Sequence, residues 1–500
     1  MRVLLVEVGC DRQEFNEPLG VESIAGAVQD GLNIRPEIHW LKAGDQLDLT
    51  SLQPDDVLGI SLQIDSLGRF ELLFEQLSRL ANPPNVVLGN LLPTYAPAEV
   101  LSRFPSAICV ISEGETSFAM LCDAWRTSRA PVLSGIPNLA FLDSAGQVVV
   151  TERRLETLEG RRWHPVRDLV PHVISRGGIA RVEASRGCHW GRCGFCSVAE
   201  RHGMGVWRPF DIDWVVEELS ILSSLGVRSP YFADEDFFGQ NFDRASALAD
   251  AILDAKNCGM IDPAMNFFIS MLAADSHSSA GIDALKKLRL AGLREVFVGV
   301  EAGDNVQLRR YGKKARSQTN SDAVSWARQL DLQIDIGSIM FDPQVSLRQL
   351  RSNIRFIQSL WLDECDSRVV KALRIQPLTG CTTSYVDMIV GSLDLNSLTF
   401  PYSYADERVE RVWHAYRTWA APQRERIDQV LAAARGEVAS EDQRLVLKRA
   451  LSAVRDCDLD AVEQLVDQAE AGAALGVLPS TLAAKECHLN SAEQTLEPMR

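Results

Sequence analysis

Three cysteines, Cys188, Cys193 and Cys196, crowd into the stretch EASRGCHWGRCGFCSVAE at residues 183 to 200. Thiolates select zinc, copper(I) or iron–sulfur centres, and a structural zinc ion usually closes a tetrahedron of four ligands. Three cysteines are one short of that, although His189 or His202 could complete a zinc knuckle. On a 4Fe-4S cluster, three cysteines leave one iron with an open coordination position, a place to bind a substrate or cofactor. The elements around the loop weigh between these chemistries.

A second alternating series of strand and helix patterns begins at ARVEAS, just ahead of the cysteines. It runs through WVVEELSILSSLG, PYFADEDF, RASALADAILDA, NFFISM, GIDALKKLRLAG, REVFVGVEAG, a helix near residues 317 to 330, IDIGSIMFDP, LRQLRSNIRFIQSL and VVKALRIQP. This predicts about six β/α units, an open barrel short of the closed eight-unit one, with the cysteines on the loop after its first strand. Barrel enzymes put their chemistry on such loops, so the position favours catalysis over a structural knuckle.

Upstream, the runs VLLVEV, VLGISL, NVVLG and AICVI alternate with helical patterns. Leu67, Phe70, Phe74, Leu77 and Leu80 mark one of these helix faces. The rhythm predicts a parallel, doubly wound sheet whose ligands bind at the carboxyl ends of its strands. Those ends are the turns at residues 9–20, 61–66, 89–93 and 112–115. The fold class expected is α/β: a Rossmann-like sheet domain over residues 1–150, a linker over 151–177, a barrel core over 178–400 and a helical C-terminal region over 401–500. A small hairpin is expected around LAFLDSAGQVVV, within the stretch connecting sheet and barrel.

Bulk properties restrict the partners. In 500 residues, 51 Lys plus Arg face 67 Asp plus Glu, a net charge of −16, which argues against nucleic acid or an anionic membrane as the main target. A small-molecule or peptide partner is expected instead. MRVLLVEVG reads as a buried first strand, not a signal peptide, and no apolar run reaches the roughly 18 residues a membrane span needs. A cytoplasmic location follows, where eleven cysteines favour metal or redox chemistry over disulfides.

The strand ending in SRGC, the compact cysteine loop with Phe195 before its last cysteine, and the β/α units that follow resemble the radical SAM superfamily. The resemblance implies that Cys188, Cys193 and Cys196 hold a 4Fe-4S cluster whose open iron chelates S-adenosylmethionine (SAM). One electron from an external reductant then cleaves SAM to a 5'-deoxyadenosyl radical. The usual spacing is C-x3-C-x2-C, whereas here His-Trp-Gly-Arg separates the first two cysteines. Asp234 and Glu235 stand where the family's acidic turn approaches the methionine amino group, and Glu301 resembles the residue that reaches the SAM ribose or carboxylate. IGSIMFDP resembles the segment beside the adenine.

The upstream domain resembles that of the cobalamin-binding class of the superfamily, through Pro18 and Gly20 in PLG, Ser61 ending GIS, Gly89 ending its strand, and Glu113 in SEGE. The resemblance implies that these residues hold cobalamin, which in many members methylates unactivated carbon. The class signature with its histidine is reduced here, since no histidine precedes His39; members without it hold cobalamin with the lower face unliganded by protein.

The function implied is a cobalamin-dependent C-methyltransferase acting on a small-molecule or peptide biosynthetic intermediate. A radical SAM rearrangement, elimination or oxidation without methyl transfer is an alternative, and a non-catalytic metal-binding interaction protein is another. Methylthiolation fits less well, because Cys10, Cys109 and Cys122 lack that family's ligand spacing. Cys365, Cys381, Cys457 and Cys487 are too scattered for an auxiliary cluster. Trp190, Trp207 and Tyr231 either line the cavity or pack, and Lys313 and Lys314 read as a solvated helix start.

Overall fold

Every residue of Val3–Val8 (β1) is buried, which requires cover on both faces of its sheet. Leu4 and Val6 pack into one core with Leu58, Ile60 and Phe70, while Val3 and Leu5 pack into another with Val57, Phe118 and Leu121. A period of two thus separates two apolar layers, and helices cover each. The computed structural model describes residues 1–9, 16–42, 45, 47–128, 130–365, 368–437 and 439–496. Cys10 and most of the turn after β1 lie outside these described residues.

Four further strands lie parallel to β1: β2 (Glu37–Leu41), β3 (Val57–Ser61), β4 (Asn85–Gly89) and β5 (Ile108–Val110). The order is β2-β1-β3-β4-β5, followed by the antiparallel β6 (Leu139–Leu142) and β7 (Val148–Val150). The strand direction of winding reverses between β1 and β3, and a crevice opens at their carboxyl ends. The expected hairpin is present, but it extends this sheet instead of lying in a connection. β2 has no counterpart among the expected strands.

The barrel core is an open parallel sheet. β8 (Arg181–Val182) is one edge, and β9 (Ser185–Gly187) continues the chain and pairs antiparallel with β10 (Trp207–Pro209). β11 (Tyr231–Phe232), β12 (Phe267–Met271), β13 (Leu293–Glu301) and β14 (Gln333–Ser338) follow, giving the order β14-β13-β12-β11-β8. The sixth expected strand, VVKALRIQP, is reduced to single bridges, Phe341 with Ala372 in parallel and Ile375 with Phe400 in antiparallel. Pro377, with no N–H to donate, closes that run.

From Glu407–Ala420 onward the chain is helical, and the helix Glu441–Glu470 starts with a capping box formed by Ser440 and Gln443. It packs against both the barrel and the last helix, Pro479–Leu496. Among the described residues no helix is long and apolar enough to cross a membrane.

The linker between sheet and barrel is pinned by Arg167, whose guanidinium is buried. It pairs with Glu17 at 2.6 Å and with Glu218 of the barrel helix Ile212–Ser224, and donates to the Arg181 carbonyl at 2.9 Å. Both carboxylates are fully buried. Removing one member of such a group leaves uncompensated charge in the interior, at about 3–5 kcal/mol. Arg167→Met is expected to lower unfolding stability by that amount in a denaturant titration; a loss under about 1 kcal/mol would show the group to be dispensable.

Candidate active site between sheet and barrel

The cysteine loop is fixed at several points. Gly187, the last residue of β9, has φ of +91°, and a Cβ there would lie 2.2 Å from the Val206 carbonyl oxygen, so only glycine fits. The Cys188 N–H donates to that same oxygen at 3.1 Å. Asp236, fully buried just past β11, accepts from the His189 N–H at 3.1 Å and lies 2.6 Å from His189 Nδ1. The Trp190 indole donates to the Gly312 carbonyl at 2.9 Å, and the Gly194 N–H to the Tyr311 carbonyl at 2.9 Å. These ties absorb the fourth residue between Cys188 and Cys193 without loosening the loop.

The three thiols are half-buried. Burial pushes the thiol of Cys188 up to about 12 and that of Cys193 up to about 11, and raises that of Cys196. Such thiols stay protonated until a metal centre displaces their protons. Two cations stand near. Burial lowers the pKa of Lys313, but Glu301 and Cys193 outweigh it and raise the value. Arg201 donates to Glu235 at 2.6 Å and shares a field with Cys196.

Of the histidines considered as fourth metal ligands, His202 is engaged through both ring nitrogens, whereas His189 is engaged through Nδ1 and its buried Nε2 has no hydrogen-bond partner. His189 is held by Asp236, while His202 lies 2.7 Å from Glu113 through Nδ1 and 3.4 Å from Glu235 through Nε2. Among the described residues no group of three His, Cys, Asp or Glu side chains closes on a single metal ion. Three cysteine thiols are the donor set that a cluster with three protein thiolates requires, and are one short of a closed zinc site.

A cavity of about 340 Å³ lies at the carboxyl ends of β1, β3, β4 and β5, with Arg201 and His202 of the barrel in its wall. Pro18, Gly20, Ser61, Gly89 and Glu113 all line it, and so does Glu235 from the barrel side. At two points its lining leaves room beside the backbone: a Cβ added at Gly20 meets nothing within 4 Å, and one at Gly89 comes no nearer than 3.9 Å to another atom, while Leu19, Ile24 and Phe118 give the rest an apolar wall. A planar, largely apolar ligand such as a corrin would lie against this apolar wall and the open backbone at Gly20 and Gly89. Glu7 and Gln63 lie at its base, hydrogen-bonded to each other. Burial raises the Glu7 carboxyl to about 7, and the bonds from Ser61 and Gln63 only partly offset it.

The carboxylates of the second barrel turn divide by parity. Glu235 points to the cavity and accepts from the Gly187 N–H at 3.1 Å. Burial raises its pKa, but His202, Arg201 and the Gly187 N–H outweigh that and hold it at about 2. Asp234 points away from the cavity. It accepts from the Ala184 N–H at 3.0 Å and from the Ser185 hydroxyl, and burial raises it to about 7. Asp234 therefore braces β9, while Asp236, absent from the sequence-based candidates, braces the cysteine loop.

Glu301 ends β13 with φ of +64° and lies 3.4 Å from Lys313. It is off the cavity wall, on the side of Cys193. Tyr231 is bonded to Ser270 at 2.8 Å, and Trp207 donates to the Asp236 carbonyl at 2.7 Å; both act as packing and bracing groups.

Sheet and barrel meet through the loop itself. The Tyr95 hydroxyl donates to the Ser197 carbonyl at 2.9 Å and the Ser112 hydroxyl to the Arg201 carbonyl at 2.7 Å. Glu113 takes hydrogen bonds from His202 and Arg208. Burial opposes its ionisation, but His202, Arg186 and Arg208 outweigh it and hold the carboxyl well below the usual range.

No family model matches the chain. Over 332 residues it is 27% identical to 4'-phospho-dehydrooxetanocin synthase of Priestia megaterium, covering 62% of this chain and 43% of that protein. Over 354 residues it is 22% identical to hopanoid C-3 methylase of Methylococcus capsulatus, covering 65% of this chain and 61% of that one. The chain thus spans about half the length of these curated relatives. Its structure is similar to that of the cobalamin-dependent S-adenosylmethionine radical enzyme OxsB with aqua-cobalamin and S-adenosylmethionine bound. That likeness has TM-score 0.80 and 17% identity, over 100% of this chain and 79% of that one. It is also similar to the radical S-adenosylmethionine methyltransferase TsrM from Kitasatospora setae with cobalamin and a 4Fe-4S cluster bound, at TM-score 0.67 and 14% identity, over 95% of this chain and 100% of that one.

The Glu113–His202–Glu235 chain carries a pH dependence. Burial lowers the His202 pKa, but hydrogen bonds to both carboxylates outweigh it and raise the value above 6.5. Its stabilising contribution is complete below pH 6.5 and fades as pH rises through the raised value. In thermal melts from pH 6 to 9, His202→Gln should lose most Tm relative to wild type at the acid end, with the gap narrowing on the alkaline side. A gap constant with pH would contradict the charged histidine.

Proposed function

We propose that this chain, which has the fold of the cobalamin-dependent radical SAM enzymes, is a cobalamin-dependent radical SAM methyltransferase acting on a small-molecule or peptide biosynthetic intermediate. One observation carries the reading: the cavity at the switch point of the sheet is lined from the barrel by Arg201, His202 and Glu235, and the first two end the helical turn Val198–His202 that directly follows the three-cysteine loop. When bound, the cluster and SAM supply a hydrogen-abstracting radical and cobalamin supplies the methyl group.

In this reading Cys188, Cys193 and Cys196 hold the cluster. Glu235, kept ionised by His202 and Arg201, receives the SAM amino group. Glu301 with Lys313 orients SAM on the Cys193 side, and Asp234 supports the strand beneath it. Pro18, Gly20, Ser61, Gly89 and Glu113 surround the corrin. The protein orients its cofactors and excludes water, and the buried setting of the thiols supports the second role. An external one-electron reductant feeds the cluster.

A reading without methyl transfer is favoured by one finding, that one relative is a synthase of a dehydrooxetanocin phosphate while the other is a methylase. Product analysis separates the two. Anaerobically purified enzyme from cobalamin-supplemented cells should contain iron and cobalt and yield both 5'-deoxyadenosine and S-adenosylhomocysteine. Deoxyadenosine alone would remove methylation, and Cys196→Ala should lose the brown chromophore and SAM cleavage together. Retained folding with stoichiometric zinc and no iron would remove both radical readings.

A further inference from the structure

The inside of the barrel is hollow above a filled floor. Along β13 and β14 the outward residues Val296, Val298, Ile334 and Ile336 are buried, while Phe297, Gly299, Asp335 and Gly337, which alternate with them and point inward, are only half-buried. In a filled barrel, layers of side chains bury both sets. The cross-strand register shows why they do not here. Arg181, Tyr231, Phe268, Glu295 and Gln333 pair in one row across the sheet, and all carry long side chains. Further along the same strands the inward positions include Ala233, Ser270, Gly299 and Gly337, too small to fill the space.

The C-terminal helices close the floor from below. Lys448, on the helix Glu441–Glu470, pairs with Glu295 and donates to Gln333 at 2.8 Å, and Arg435, which ends the helix Arg424–Arg435, pairs with Asp335 at 2.8 Å. Upward the hollow is open, since Arg181, Glu183 and Ala233 also line the cavity at the end of the sheet. The acids of the hollow each have a cation: besides Glu295 and Asp335, Glu183 lies 2.8 Å from Arg186 and Glu301 lies 3.4 Å from Lys313. Two cations are left over. Arg181 has a buried Nε without a hydrogen-bond partner, and among the described residues the Lys371 ammonium makes no hydrogen bond or ion pair.

Lys371 stands beside the end of β14, its carbonyl accepting from the N–H of Met340 at 2.9 Å and of Phe341 at 3.0 Å. The side chain is exposed, yet burial lowers its pKa, Arg368 and Arg435 add to that, and Asp335 and Glu301 only partly offset it. A side chain both wet and enclosed lies in a recess. An ammonium group there without a counter-charge is unfavourable, and a bound anion relieves it.

We propose that Lys371 receives an anionic group of the substrate, a carboxylate or a phosphate, while the apolar body of the substrate lies against Phe268 and Phe297. The proposal rests on the radical reading, and narrows its substrate to an acid with an apolar portion. Arg181 adds a second positive charge to the same hollow. In a chain of net charge −16 the hollow is thus locally positive, which favours an anion over a neutral or cationic molecule of equal shape.

The experiment is equilibrium dialysis of the anaerobically reconstituted holoenzyme, with SAM present, against three probes of similar size: phenyl phosphate, phenylacetate and benzyl alcohol. Wild type should bind at least one anionic probe about tenfold or more tighter than the neutral one. Tighter binding of phenyl phosphate assigns a phosphate ester, and tighter binding of phenylacetate a carboxylate. Lys371→Gln should bring the anionic probe to within about twofold of benzyl alcohol, and Lys371→Arg should retain the preference. Lys287→Gln, on the outside of the barrel where it pairs with Asp250 at 2.6 Å, should bind as wild type does.

A wild type that binds all three probes alike overturns the proposal, as does a preference that survives Lys371→Gln. So does a Lys371→Gln variant that loses about tenfold in SAM affinity while the probes bind as before, since the lysine then serves SAM. If wild type assembles no 4Fe-4S chromophore, the radical reading fails and the proposal with it. A cluster-loaded wild type indifferent to probe charge removes the anion site alone.

Discussion

Glu113 is a buried carboxylate at the carboxyl end of the sheet, and basic side chains from three points of the barrel converge on it: Arg186 on β9, His202 after the cysteines, and Arg208 on β10. Its second oxygen accepts from the Glu156 N–H at 2.6 Å, so the linker is drawn into the same knot. A charge this deeply buried costs several kcal/mol unless every partner is present, so only one arrangement of sheet against barrel satisfies it. That arrangement brings Arg201, His202 and Glu235 of the barrel into the wall of the cavity at the end of the sheet. The site lies between the two domains because their electrostatic seam does.

The seam continues into the chemistry. His202 connects Glu113 to Glu235, and Arg201 connects Glu235 to the neighbourhood of Cys196. A carboxylate on the cavity wall is thereby kept ionised beside thiols that burial keeps protonated. The contrast follows from the balance of partners: at Glu235 the hydrogen bonds and charges of His202 and Arg201 outweigh burial, whereas at the thiols burial outweighs the backbone donors and nearby cations. Once three thiols are exchanged for three thiolates, Lys313 and Arg201 already stand where the added negative charge would appear.

Much of this was legible in the sequence. Cys188, Cys193 and Cys196 are close in the chain, and Pro18, Gly20, Ser61, Gly89 and Glu113 each follow a recognisable strand, so local pattern locates them on one sheet edge. The division of labour in Ala-Asp-Glu-Asp was not legible. Alternation says that Asp234 and Asp236 share one side and Glu235 takes the other, but which side faces the cavity depends on how β11 sits between β8 and β12. β2 escaped because EIHWL is an edge strand, only half-buried, and lacks an apolar run. The sixth barrel strand has the apolar run but too little partner to pair with, since Ile375 turns to Phe400 instead. Lys313 read as solvated because its neighbour Lys314 is, and only the fold sends one inward to Glu301.

Glu301 shows what the rigidity of the barrel is for. A left-handed φ on a residue with a side chain costs of order 1–3 kcal/mol and persists only where its surroundings over-determine it. Here a register shift between Gly299 and Glu301 turns the strand end, and the Ile339 N–H holds the Glu301 carbonyl at 2.7 Å. A Cβ at Gly299 would come within 2.7 Å of Glu301 Oε1, so the bare strand leaves the carboxylate its room. Lys313 then fixes its direction. Strain, bulge, glycine and lysine all serve to aim one carboxylate toward the side of Cys193, and a residue needed only to cap a helix would require none of them.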